Sequence, residues 1–189
     1  ELDVGVVGAG SFGLTVAQLL AISNNVLLFA RDPKVVADIN ETRTLLGVTI
    51  SPRITAVSSY NNVAQACEVI FPVVPSDDFR NMMKDLGPLL TPRHILIHGT
   101  KGLDTSRIKD INTFSGKLHR EDVRTMSEVI HEESNVLRVG CLSGPNLSKE
   151  IVEGQPTATV IASEYDEVVT IGIELLSSKK MFVFGSSDI

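Results

Sequence analysis

Asp3-Val4-Gly5-Val6-Val7-Gly8-Ala9-Gly10-Ser11-Phe12-Gly13-Leu14-Thr15-Val16-Ala17-Gln18-Leu19-Leu20 reads as a short apolar strand, a glycine-rich turn and a helix. Gly8, Gly10 and Gly13 form G-x-G-x-x-G in the strand–turn–helix setting that gives the spacing its physical meaning. Gly8 permits the tight turn, Gly10 leaves the backbone open to a pyrophosphate, and Gly13 lets the helix pack closely on the strand. The first N–H groups of a helix have no partner within it, and the helix dipole favours negative charge beside them. The stretch therefore predicts a dinucleotide site. Bare matches also occur where glycines only serve a tight turn; the flanking strand and helix favour the nucleotide.

Outward from this stretch, strand and helix patterns alternate. Val26–Ala30 is a second strand, after which Asp32 reads as a helix N-cap with Pro33 at the first helical position. A helix through Val35–Asn40 follows, then strands at Ile54–Val57 and Glu68–Val74, the latter ended by Pro75. Ser76 opens a helix to about Leu86, punctuated by Gly87-Pro88, and His94–His98 is a fifth strand closed by Gly99. Residues 108–121 read as a polar surface excursion. Beyond them come a helix over Val123–Glu133, a strand over Val136–Leu142, a short helix at Ser148–Val152, strands at Thr157–Ala162 and Met181–Phe184, and a helix at Tyr165–Leu176. Unbroken apolar strands alternating with helices predict an α/β fold: a Rossmann-like, doubly wound, mostly parallel sheet of about eight strands with helices on both faces. Ligands of such sheets bind at the carboxyl edge.

The chain has 189 residues, 43% of them hydrophobic and 21% charged, enough for a substantial core in one domain spanning 1–189. No apolar stretch approaches the ~18 residues of a membrane helix, and no secretory leader is visible. A net charge of −6 argues against a broad nucleic-acid or membrane surface. Cys67 and Cys141 read as unpaired thiols of a reducing, cytoplasmic compartment; a redox-active thiol has no support. His94, His119 and His131 lack metal-ligand spacing, so no metal is expected. His98, at a strand end, is weighed as a catalytic group and as a satisfied structural histidine, with the second favoured. Glu132-Glu133 reads as a solvated helix end, and Met82-Met83 as split between core and edge.

The residue after the second strand decides how the adenosine end is held: an acidic side chain takes ribose hydroxyls, a basic one a 2′-phosphate. Arg31 occupies this place, eighteen positions after Gly13, while Asp32 serves as N-cap. Arg31 is suited to stack on adenine or pair with a 2′-phosphate, and a solvated surface arginine is the plain alternative. Lys101 follows the fifth strand between Gly99 and Gly102, where a cation would attract a phosphoryl oxygen or a developing alkoxide; a flexible turn lysine is the alternative.

Several segments in order resemble the NAD(P)-dependent glycerol-3-phosphate dehydrogenases of the bacterial type. They are Gly8–Gly13, Phe29-Ala30-Arg31-Asp32-Pro33, Val74-Pro75-Ser76, Gly99-Thr100-Lys101-Gly102-Leu103, Met126-Ser127-Glu128-Val129, Ser143-Gly144-Pro145-Asn146 and Gly154-Gln155-Pro156-Thr157-Ala158. The resemblance implies NAD or NADP as cofactor and hydride transfer between it and dihydroxyacetone phosphate or sn-glycerol 3-phosphate, a phospholipid precursor. It implies cofactor contacts at Gly8, Ala9, Gly10, Ser11, Phe12, Gly13, Arg31, Pro75, Lys101 and Ser148, and substrate contacts at Lys101, Gly144 and Asn146. A homodimer is one option for the full-length protein, whose oligomeric state the sequence does not fix.

The family's second lysine, its candidate general base, belongs to an Ala-Leu-Lys-Asn-type segment that would lie beyond Ile189, as would the helical substrate domain. No catalytic residue is therefore expected in this chain, and little or no turnover from it alone. Residues 111–120 look like an insertion, and Leu147 stands where an aromatic is common. The alternatives are a non-catalytic dinucleotide sensor, or the cofactor domain of a ketopantoate- or 6-phosphogluconate-type reductase.

Overall fold

The structure, a computed structural model, describes residues 3–108, 115–117, 119–144, 150–151 and 153–189. The elements are β1 (Asp3–Val7), α1 (Ser11–Leu20), β2 (Asn25–Phe29), α2 (Pro33–Ala37), a π turn (Asp38–Thr42), the hairpin β3 (Thr44–Leu45) and β4 (Val48–Thr49), and β5 (Ile54–Val57). They continue as α3 (Tyr60–Ala66), β6 (Val69–Pro72), α4 (Ser76–Leu86), β7 (Ile95–His98), α5 (Met126–Glu133), β8 (Arg138–Ser143), β9 (Thr157–Ala162), α6 (Asp166–Leu176) and β10 (Met181–Ser186). Eight strands form one sheet in the order β10-β9-β8-β7-β6-β1-β2-β5. Neighbours are parallel throughout, except that β9 runs antiparallel to β8. The doubly wound, mostly parallel sheet is thus present, with its last two strands reversed as a pair.

Strand alternation sends side chains to two apolar layers. Val4 and Val6 of β1, Phe71 of β6, and Ile95 and Ile97 of β7 pack with Leu14, Val16 and Leu20 of α1 and Val168 of α6. Ile70 and Leu96 face the other way, among Val63 of α3, Phe79, Met82 and Met83 of α4, and Val129 and Ile130 of α5. Met82 and Met83 are therefore both core residues, because α4 lies flat on the sheet. On β10, Val183 packs against the first layer. Phe182 and Phe184 point to the opposite face and are 53% and 59% exposed.

Local chemistry fixes the element ends. Asp32 Oδ1 accepts the Lys34 N–H at 2.8 Å with Pro33 behind it, which starts α2 as expected. At the β5 edge, Asn40 exchanges two hydrogen bonds with the Ala56 backbone, 2.8 and 2.9 Å, and so blunts an otherwise open strand. The helix expected from Val123 begins at Met126. Thr125 and Glu128 form a capping box there, and Arg124 is drawn out to bridge Asp104. Most of the short helix expected at Ser148–Val152 and half of the insertion at 111–120 lie outside the described residues.

Candidate functional site

Because β2, β1, β6, β7 and β8 are parallel, their carboxyl ends share one edge. That edge presents Arg31, Gly8, Pro75, Lys101 and Gly144 in this order, spread over four strand spacings, about 19 Å. The site residues named from the sequence are thus brought to one line, apart from Asn146 and Ser148, which lie outside the described residues.

The glycine turn forms its centre. Gly8 adopts φ +120°, a conformation that disfavours any side chain, and its N–H donates to the Phe29 carbonyl at 3.2 Å. Gly10 precedes α1 with ordinary extended backbone, and no side chain caps the helix. A Cβ added at Gly10 would meet nothing within 4 Å. A Cβ at Gly13 would lie 1.8 Å from the Gly8 carbonyl oxygen. The two glycines therefore serve different ends: Gly13 closes the helix on the turn, whereas Gly10 keeps a space clear in front of the N-terminus of α1. Backbone N–H groups and a positive dipole end facing an open cradle suit a diphosphate. Phe12 extends along the cleft, its ring against Gly99.

At the β2 end of this edge Arg31 is exposed. The ring of Phe29 stacks on Tyr60 with centroids 3.9 Å apart. Burial and then Asp85 push the Tyr60 phenol above its ordinary pKa, and the charge of Arg31 opposes them.

At the other end the Lys101 ammonium donates to the Gly144 carbonyl at 2.6 Å, across 43 positions of sequence. Beside it opens a cavity of about 620 Å3, bounded by His98, Ser127, Cys141, Leu137, Tyr165 and Ile189 among others. His98 Nε2 meets Ser127 Oγ at 2.9 Å, while Nδ1 is buried and, among the described residues, has no hydrogen-bond partner. The expected structural histidine is therefore only half satisfied. Burial pulls its pKa down to about 4, against a weaker opposing pull from the Thr100 backbone.

In an unfolded chain the ring titrates near 6.5, so between about 6.5 and 4 the unfolded state binds more protons than the folded one. Stability should fall by about 3 kcal/mol as pH drops through that window. His98→Gln keeps a partner for Ser127 and does not titrate, so its urea-unfolding profile should be flatter from pH 7 to 4. A mutant profile as steep as wild type would assign the acid loss elsewhere.

Neither thiol is activated. Burial pushes Cys67 up to about 12 and also raises Cys141, although Lys101 draws the latter back. Among the described residues no group of three His, Cys, Asp or Glu is placed to hold a metal ion. Glu132 and Glu133 differ from expectation: they are not merely a solvated helix end. Both pair with Arg80 of α4, and Glu132 also takes Arg107 and Arg124. These partners lie 25 to 53 positions apart in all but one case, so no short-range pattern could have revealed them.

The family model described as NAD-dependent glycerol-3-phosphate dehydrogenase N-terminus matches residues 3–169. The NAD(P)+ glycerol-3-phosphate dehydrogenase of Acinetobacter baylyi is 37% identical over 194 residues, covering 100% of this chain and 50% of that protein. Its counterpart in Pseudomonas fluorescens is 33% identical over 193 residues with the same coverage. The chain thus spans about half the length of the curated relatives it matches. In fold it is similar to the crystal structure of glycerol-3-phosphate dehydrogenase from Coxiella burnetii, with a TM-score of 0.84 at 24% identity, covering 100% of this chain and 55% of the other. The family match takes in every strand of the sheet but β10, and the chain accordingly belongs to the NAD-dependent glycerol-3-phosphate dehydrogenase N-terminal family.

Proposed function

We propose that this chain is the NAD(P)-binding half of a glycerol-3-phosphate dehydrogenase, acting in the cytoplasm on dihydroxyacetone phosphate or sn-glycerol 3-phosphate together with a helical substrate half. The observation that carries this reading is the open cradle at Gly10 on the same edge as the Lys101–Gly144 contact. Family membership supplies the substrate class. Exposed Phe182 and Phe184, with Leu137, Tyr165 and Ile189 around the Lys101 cavity, favour a second half that covers this apolar face.

When bound, the nicotinamide supplies or accepts the hydride at carbon 2. Gly8 to Gly13 and the first turn of α1 hold the pyrophosphate. Arg31 meets the adenosine end, and Pro75 lines the cofactor wall. Lys101 places a positive charge where a phosphoryl oxygen or the oxygen on carbon 2 gains negative character, which favours the transition state over the ground state. Gly144, with Asn146 and Ser148, borders substrate and cofactor. The proton-transfer lysine belongs to the second half, so residues 1–189 bind dinucleotide and turn over little or no substrate. Unpaired Cys67 and Cys141 suit a reducing compartment.

The test is NADPH oxidation with dihydroxyacetone phosphate by the protein carrying both halves, beside residues 1–189 alone. Turnover by the former and binding without turnover by the latter are expected. Absence of turnover by the two-half protein, or preference for a ketopantoate-type substrate, would overturn the reading. Arg31→Ala should weaken NADPH about tenfold more than NADH, the worth of a charge-assisted contact to the 2′-phosphate. Equal losses in fluorescence titrations would remove Arg31 from that role.

A further inference from the structure

Lys101 is an exposed lysine on a loop, and that loop is tied down on both sides of it. The Gly99 N–H donates to the Pro72 carbonyl at 3.0 Å, and Thr100 Oγ1 donates to the Val74 carbonyl at 2.6 Å. Gly102, at φ +121°, passes so close over Ser76 that an added Cβ would lie 3.0 Å from its Oγ. Asp104 exchanges two backbone hydrogen bonds with Arg124, 2.8 and 3.0 Å. The Asp104 side chain, only 6% exposed, accepts from Arg80 Nε at 2.9 Å and from Ser106 Oγ at 3.0 Å.

Ser76 and Arg80 are four positions apart on α4, hence on one face, one turn above the other. The loop therefore rests on α4 at two points, under Gly102 and under Asp104. Arg80 does more than meet Asp104. Its remaining nitrogens reach Glu132 and Glu133 at the end of α5, the former at 2.7 Å. One planar guanidinium thus joins the loop to two helices that are anchored in the core. The three arginines of this cluster, Arg80, Arg107 and Arg124, balance the three carboxylates Asp104, Glu132 and Glu133. A neutral, mutually satisfied cluster calls for no outside ion, so its work is mechanical.

We propose that Arg80 is a positioning residue for Lys101: by forking between Asp104 and the Glu132–Glu133 pair, it holds residues 99–104 on α4 and α5 so that the Lys101 ammonium stays at the Gly144 carbonyl. This rests on the assignment of Lys101 to the reacting ligand made above. Three carboxylates in three directions need the fixed fork of an arginine. An ammonium of the same charge is a point donor on a mobile stem and meets fewer of them at once.

The experiment uses the protein carrying both halves and the variants Arg80→Lys, Asp104→Asn, Lys101→Met and the double variant Arg80→Lys with Lys101→Met. Arg80→Lys retains the charge, and Asp104→Asn reaches the same joint from the loop side should Arg80 variants fold poorly. Each single joint variant should lower kcat/KM for dihydroxyacetone phosphate about tenfold while NADPH binding stays within about twofold. In the Lys101→Met background, Arg80→Lys should cost less than about twofold, because the group it positions is gone.

Lys101 should also acylate faster in Arg80→Lys than in wild type, read by peptide mass spectrometry; this readout needs no turnover. Additive losses in the double variant, or undiminished kcat/KM with unchanged Lys101 labelling in both joint variants, would overturn the proposal. If wild type reduces no dihydroxyacetone phosphate but Lys101 labelling still rises in Arg80→Lys, the positioning stands and the dehydrogenase reading falls.

Discussion

Gly10→Val is expected to weaken dinucleotide binding by about two orders of magnitude while leaving the fold in place. A Cβ at this position meets nothing within 4 Å, and the backbone, at φ −76° and ψ −177°, suits any residue. The folded protein therefore loses little: valine is a poorer N-cap than glycine, which costs about 1 kcal/mol at most. The ligand loses much more. The isopropyl group would stand in the space in front of the α1 N-terminus and hold a diphosphate off the backbone N–H groups that would cradle it. NADPH and NADH affinities should both drop by about 100-fold or more, the worth of two or more charge-assisted hydrogen bonds. Isothermal titration checks the binding, and a thermal melt checks the fold. Wild-type affinity for either cofactor would mean that the open space at Gly10 is not where the pyrophosphate sits. A collapsed melt would mean that Gly10 has a structural duty that its surroundings do not show.

The sequence carried the local half of this structure well and the long-range half poorly, for physical reasons visible at particular residues. β5 over Ile54–Val57 and α4 over Ser76–Leu86 fall where pattern and punctuation put them, since apolar runs and Gly or Pro signals are read within a few residues. α3 was not legible. Tyr60–Ala66 offers only Val63 and Ala64 as buried positions in a polar segment, and the core contact that stabilises it comes from the sheet. The reversal of β9 and β10 was not legible either, because an apolar strand reads the same in both directions. The glycine turn is a local motif and could be read in detail. Its division of labour follows from position within G-x-G-x-x-G as well, and the structure adds the distances: nothing within 4 Å of a Cβ at Gly10, and a 1.8 Å approach at Gly13. Lys101 was reached from its strand-end position and from resemblance. The Arg80–Asp104–Glu132 cluster had neither a motif nor a short spacing to announce it.

The second large effect is the mirror image of the first. Gly13→Ala should unfold the domain or strip α1 from the sheet. In an exposed helix interior, alanine for glycine is stabilising by about 1 kcal/mol. Here the sign reverses, because the new methyl carbon would lie 1.8 Å from the Gly8 carbonyl oxygen and 2.9 Å from its carbon. Both atoms are backbone, so no rotamer change relieves the overlap. Gly8 is itself held at φ +120°, with its N–H on the Phe29 carbonyl, and α1 is held by Leu14, Val16 and Leu20 in the core. Relief requires either the turn or the helix to move, and each movement opens part of the α1 layer. The cost should exceed about 4 kcal/mol, beyond ordinary overpacking, which is a large share of the stability of a domain this size. Urea denaturation followed by circular dichroism reads it, with Gly10→Ala as the control that adds the same methyl group where space is open. A Gly13→Ala midpoint close to that of Gly10→Ala would show that α1 can ride higher on β1 without penalty. The close packing of helix on turn would then cease to be what fixes the nucleotide edge.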